Sequence, residues 1–286
     1  MHATRFPGNP IITPNMDDRM GSNINGPSLI RAPLWLPSRL GEYYLYFAHH
    51  QGQYIRVAYA NRLEGPWTMY RPGTLRLEQT PFIRHVASAD VHVDDDKRQI
   101  RMYCHGPVPE SRQRSRVALS KDGISFTCLP EILGSPYFRA FEWGDHTYAL
   151  GMPGRFYRSE DGLTGFEEGP QLFTRNMRHT AVKIDGDRLL VFYSNAYDCP
   201  EHILMSTIHL APDWMSWSAT EPVSVLRPEM DYEGGDLSLE PSKRGWIQPR
   251  VRQLRDPGIF CEGAHTYLLY SVAGEHGIAI AELQDV

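Results

Sequence analysis

Hydrophobic and polar positions alternate along this chain in short bursts. Runs of about five to eight residues, rich in Tyr, Phe, Val, Ile and Leu, recur at regular spacing with almost no helical period, which predicts strands. One unit repeats five times. It is a strand opening on a polar or Pro-containing corner, a tight turn, an aromatic and aliphatic second strand, and a third strand leading into an acidic-Gly turn and an aromatic. The first copy is NGPSLIRAP (25–33), EYYLYFAHH (42–50) and YIRVAYANRLEGPW (54–67). The second is ADVHVDDD (89–96), QIRMYCHG (99–106) and SRVALSKDGISF (115–126). The third is SPYFRAFEW (135–143), HTYALGMPG (146–154) and RFYRSEDGLTGF (155–166), and the fourth MRHTAVKIDGD (177–187), RLLVFYSNA (188–196) and HILMSTIHLAPDW (202–214). The fifth is RDPGIFCEG (255–263), HTYLLYSVAGE (265–275) and GIAIAEL (277–283).

Five copies of a three- or four-stranded unit predict an all-β fold, a five-bladed β-propeller. It forms one domain over 1–286, with blades at about 25–75, 85–130, 133–172, 175–250 and 253–286. The fifth copy shows three strands, so NPIITP (9–14) is expected to close the ring. The competing arrangement is a β-sandwich followed by a second small β domain. The stretch PEMDYEGGDLSLEPSKRGW (228–246) is too aromatic and too patterned with acids for a linker. It reads as a strand of blade four plus an excursion over one face.

Composition narrows the class. The 286 residues are 41% hydrophobic and 22% charged, enough for a buried core, and Gly 24 with Pro 22 suits many turns. A net charge of −5 argues against nucleic acid as a partner. No apolar run approaches the roughly 18 residues of a membrane span, and the N-terminus lacks an apolar leader. The expectation is a soluble cytoplasmic protein, of open oligomeric state. Cys104, Cys128, Cys199 and Cys261 lie far apart, which favours free thiols and disfavours zinc. No P-loop, dinucleotide fingerprint, GxSxG or HExxH motif occurs. No cofactor is demanded; a divalent cation in the central channel is compatible with converging His and Asp, and no spacing requires one.

Inner strands of a propeller line its channel, so residues at their starts converge on one rim. Those positions carry Asn25 with Asn23, Asp90 with His92, Tyr137 with Arg139, Arg178 with His179, and Arg255 with Asp256. Second strands return to that rim with His49, His50, His105, Ser194, Asn195 and Glu275. Each has a structural alternative. Asp256 precedes Pro257 and suits a turn; Asp90 suits a cap; His179 and His105 suit packing; only one of His49 and His50 can face the channel. Asp94–Asp96 reads as a solvated turn, and SKDG (120–123) and SEDG (159–162) as hairpin turns lacking further calcium ligands. Carboxylates and arginines beside aromatics suit sugar hydroxyls and ring faces. An Arg139–Arg178 pair would add a taste for an anionic sugar.

These features resemble the five-bladed propeller glycosidases, glycoside hydrolase family 43 and its relatives 32, 62, 68 and 117. The similarity lies in RDPGIF with TYLLYS, GPSLIRAP with EYYLYFAHH, LEGPW (63–67) and the SADV corner (88–91), and it spans the whole chain as blade grammar. The resemblance implies a general base Asp on the first blade, a tuning Asp on the second and an acid Glu on the third. Only Asp90 matches. Asn25-Gly26 and Tyr137-Phe138-Arg139 occupy the other two places. Two repairs keep a hydrolase: Asp256 of the RDP corner as base, and His179 as acid, as family 117 would allow. The expected function is thus a glycoside hydrolase acting on a small carbohydrate, with Asp90, His179 and Asp256 catalytic. Asn25, His50, His92, Arg139, Arg178, Asn195 and Glu275 would bind substrate. The rivals are a uronate lyase or dehydratase, with a His or Tyr base and Arg on the carboxylate, and a non-catalytic carbohydrate-binding propeller.

Overall fold

The computed structural model describes residues 1–109 and 112–284. Five four-stranded antiparallel sheets stand side by side in a ring, a five-bladed propeller. Blade 1 runs Asn25–Arg31, Tyr43–Ala48, Arg56–Ala60 and Thr68–Met69 from the axis outwards. Blade 2 is Ala87–Asp94, Gln99–Pro107, Gln113–Ser120 and Phe126–Cys128. Blade 3 is Arg139–Trp143, His146–Gly151, Arg155–Ser159 and Glu167–Gln171. Blade 4 is Met177–Asp185, Arg188–Asn195, Ile203–His209 and Val223–Leu226. Blade 5 is Arg255–Glu262, His265–Ser271 and Ile278–Gln284, with His2–Arg5 on its outer edge.

The strands are hydrophobic on both faces because each blade is packed between two others. In Tyr43–Ala48, Tyr44 and Tyr46 join the core shared with blade 2, while Leu45 and Phe47 join the core shared with blade 5. Leu189 and Val191 likewise face blade 3, and Leu190 and Phe192 face blade 5. The period of two sends alternate side chains to opposite neighbours. Five apolar clusters, one per blade junction, hold the ring.

Two expectations about chain course need correction. The closing strand is His2–Arg5, paired with Ile278–Gln284, and not 9–14. Pro10 and Pro14 lack the amide that a ladder needs, so that stretch makes only an isolated bridge, Ile12 to Ile278. The outer strand of blade 4 lies upstream, at Val223–Leu226, and residues 228–246 carry only a short 3-10 turn at Asp231–Glu233. The excursion returns over the channel end: the Arg178 guanidinium donates to Lys243 O at 2.8 Å and Gly245 O at 2.9 Å.

The ring also explains the turns. Trp143–His146, Asp185–Arg188 and Glu262–His265 close hairpins with Gly144, Gly186 and Gly263 at positive φ, as tight hairpins require. Asp122 and Asp161 cap their own turns, each accepting two backbone N–H groups at 2.7–2.8 Å. Among the described residues no helix is long and apolar enough to cross a membrane.

Candidate active site at the channel mouth

Four inner strands begin with a break in register: between Asn25 and Ser28, Ala87 and Asp90, Met177 and Thr180, and Arg255 and Gly258. Such bulges kink the strand and re-aim a side chain. Gly26, Ser88, Tyr137 and Asp256 all hold positive φ there or, in blade 3, two residues before the strand. The bulges of blades 4 and 5 and the Tyr137 corner of blade 3 bring Tyr137, His179 and Asp256 into one cluster. The Tyr137 ring sits between His105 and His179, with centroids 3.9 and 4.1 Å apart. His179 Nδ1 contacts Asp256 Oδ1, and Ser271 Oγ donates to Asp256 Oδ2 at 3.2 Å. Asp256 is fully buried and holds a φ of 49° at its corner.

Burial, then the charges of Arg178, His50 and His105, push the His179 pKa well below its ordinary value. His179 is therefore a neutral imidazole at pH 7. The sequence-based expectation at this position is an imidazolium proton donor, and burial acts against that charge. Burial likewise raises Tyr137, which stays a neutral phenol.

Glu275 anchors the other side of the mouth. It accepts from Asn23, from Asn25 at 3.4 Å and from Arg255 at 3.1 Å, and His50 Nδ1 lies 3.6 Å away. Burial opposes its ionisation, yet His50, Arg255 and Asn23 together hold its pKa down to about 2. From Glu275 a chain of alternating charge runs through Arg255 to Glu201 and on to Arg178, at 3.3 and 3.5 Å. Ser194 donates to Glu201 at 2.7 Å. Gln253, delivered by the long connection into blade 5, accepts from Arg255 at 2.6 Å. It and Glu201, in the link between the second and third strands of blade 4, were invisible as site residues because no local pattern marks them.

The expected substrate-binding arginines are engaged elsewhere. Arg178 binds the excursion's carbonyls and Glu201. Arg139 donates to Thr180 O at 2.7 Å and Ala89 O at 2.8 Å, tying blades 2 and 4 across the channel. Neither guanidinium has its fork free for an anionic sugar. Asn195 is half-buried and bonds Asp198.

Asp90 and His92 do not join the mouth. They line a separate cavity of about 110 Å³ deeper along the inner strands, together with Arg139 and without Tyr137, His179 or Asp256. Asp90 Oδ2 takes the Ala140 N–H at 2.7 Å and His92 Nε2 at 2.8 Å. Burial acts against both charges, but the pair and Arg139 lower Asp90, and Asp90 raises His92. A strand advances along the axis with each residue, so two positions past a bulge is already another compartment. His92 then reaches a cleft of about 710 Å³ beside Trp35 on the opposite face. Among the described residues no group of three His, Cys, Asp or Glu side chains is placed to hold a metal ion.

No family model matches the chain. Among solved structures it is similar to a thermostable family-43 glycoside hydrolase, with a TM-score of 0.63 and 14% identity over 92% of this chain and 91% of the other. A GH43_1 enzyme from Xanthomonas citri complexed with xylotriose gives 0.65 and 12%, over 96% and 91%. CoXyl43, a β-xylosidase/α-arabinofuranosidase from a compost metagenome, gives 0.64 and 14%, over 99% and 95%. The uncharacterized protein R118 of Acanthamoeba polyphaga mimivirus is 36% identical over 322 aligned positions, covering 99% of this chain and 90% of that one. The chain thus belongs to the family of mimivirus protein R118, and its fold is the five-bladed propeller of the family-43 glycoside hydrolases.

Proposed function

We propose that the protein is a glycoside hydrolase whose reacting centre is the Asp256–His179–Tyr137 cluster. The observation that carries this is the buried Asp–His contact at the channel mouth, assembled from separate blades and stacked on a phenol. With Nδ1 turned to the Asp256 carboxylate, a neutral His179 keeps its proton there and offers Nε2 as a base. The base role expected of Asp256 thereby passes to His179. His179 activates water, Asp256 orients it, and the Tyr137 hydroxyl donates a hydrogen bond to the sugar. His50, whose Nδ1 lies 3.6 Å from Glu275, is the proposed donor to the leaving oxygen. Asp90 belongs to the deeper cavity and holds the channel wall through Ala140 and Arg139.

The fold likeness to a xylotriose-bound enzyme and a β-xylosidase/α-arabinofuranosidase supports neutral pentose oligosaccharides as the first substrates to try. Engagement of Arg139 and Arg178 with backbone carbonyls and Glu201 favours a neutral sugar over an anionic one. A second reading is favoured by one observation: every carboxylate at the mouth is already partnered, which suits a propeller that binds sugar without cleaving it.

Hydrolysis of aryl pyranosides, aryl furanosides and xylo- and arabino-oligosaccharides decides between them. Wild type should turn over at least one, and His179→Ala and Asp256→Asn should each lose about 10²–10⁴-fold in kcat with the fold intact by circular dichroism. Undiminished turnover in both variants overturns the assignment. Sugar affinity without turnover in the wild type makes the protein a binding propeller.

A further inference from the structure

Among the described residues two aromatic side chains are strongly exposed, Tyr197 at 55% and Trp246 at 44%. The chain places both beside the channel mouth. Trp246 follows Gly245, whose carbonyl accepts from Arg178 at 2.9 Å and Arg255 at 3.2 Å. On its other side Ile247 packs against blade 5, where a Cβ on Gly274 would lie 2.9 Å from its Cγ2. Tyr197 is tied to the same excursion: its N–H donates to Ser242 Oγ at 2.9 Å, and the Ser242 N–H donates to Asp198 O at 2.9 Å.

The backbone carrying both rings is therefore fixed while the rings face solvent. Tyr197 also holds a φ of 78°, a conformation costing a non-Gly residue on the order of 1 kcal/mol that persists only where its surroundings enforce it. Exposed apolar rings on a fixed backbone gain little from the protein's own core. They lose little freedom on binding, which is the arrangement of a preorganised contact. A pyranose presents an apolar C–H face that such a ring can cover, leaving its hydroxyls to water.

The geometry points to Trp246, with Tyr197 tied to the same excursion, as a stacking platform for the sugar unit next to the one held at the mouth. This rests on the carbohydrate reading above. It makes the excursion between blades 4 and 5 the element that selects oligosaccharides over single sugars.

Calorimetric titration with xylotriose, cellotriose, mannotriose and arabinotriose, and with xylose as the single-unit probe, tests it. Wild type should bind at least one trisaccharide. Trp246→Ala should weaken that binding by roughly tenfold or more, Trp246→Phe far less, and neither should change xylose affinity beyond about twofold. Both side chains project from the surface, so an unchanged melting temperature in the variants separates lost stacking from lost fold. Unchanged trisaccharide affinity in a Trp246→Ala/Tyr197→Ala double variant overturns the platform and leaves the carbohydrate reading standing. So does an equal loss for xylose. A wild type that binds no trisaccharide overturns the carbohydrate reading, and the platform with it.

Discussion

Glu275 stays ionised although no part of its side chain meets water, because Asn23, Asn25, Arg255 and His50 surround it. Removing one partner from a buried charge leaves the other uncompensated, so the group is a fixed point of the mouth. Its lowered pKa sets a pH window. In the unfolded chain the carboxyl protonates below about pH 4.5, while folded Glu275 resists protonation until about pH 2. Its contribution, of the order of 3 kcal/mol, is therefore full above about pH 4.5 and is lost as pH falls through 2. Glu275→Gln should lower stability at pH 7 and flatten the acid limb of the stability curve between those values. Urea midpoints taken from pH 7 down to 2 measure this, and an acid limb as steep as wild type would contradict it. Glu275 was legible as a rim residue from the end of its strand. Its partners were not, since Asn23 meets it only when blades 1 and 5 close, and Arg255 only when the strands of blade 5 pair.

At the level of the element, the bulges opening four of the five inner strands do most to build the site. Blade 1 carries Gly26 there, at a φ of 62°, and a Cβ on it would lie 2.8 Å from Ser88 Oγ and 3.3 Å from Ser88 Cα. Blades 1 and 2 touch at that point, leaving no room for a side chain. Gly26→Ala should cost about 1–3 kcal/mol, since strain and close contact act together. Equilibrium unfolding would show it, and a midpoint unchanged from wild type would mean the corner relaxes freely. The excursion depends on Arg178 in the same manner. Arg178→Met removes two charge-assisted bonds to backbone carbonyls and should speed limited proteolysis within residues 228–250 by about an order of magnitude. Equal cleavage rates would show that Ser242 and Arg255 hold the segment without it.

At the scale of the whole molecule, His2–Arg5 completes blade 5 by pairing with Ile278–Gln284. Arg5 adds an ion pair to buried Glu233 at 2.8 Å, and Tyr270 donates to the same carboxylate at 2.9 Å. Deleting residues 1–6 would strip the outer strand from blade 5, expose an unpaired edge and leave Glu233 short of its cation. The truncated protein should melt at least about 5 °C lower and aggregate on heating, as thermal denaturation with light scattering would reveal. A melting curve superimposable on wild type would show that the closing strand is dispensable.

What the sequence by itself determined is the propeller. Five strand sets with a period of two, and runs such as EYYLYF that are apolar on both faces, can bury their surfaces only by stacking blade against blade. The list of rim residues followed, because strand ends are local features. Tertiary structure alone decided which of them meet. Asp90 and His92 sit only a few positions past their bulge, yet that rise along the axis puts them in another cavity from His179 and Asp256. The charge state of His179 and the engagement of Arg139 and Arg178 depend on burial and on carbonyls from Ala89, Thr180, Lys243 and Gly245. Those contacts join chain segments up to 67 positions apart, and a local pattern carries no information at that range.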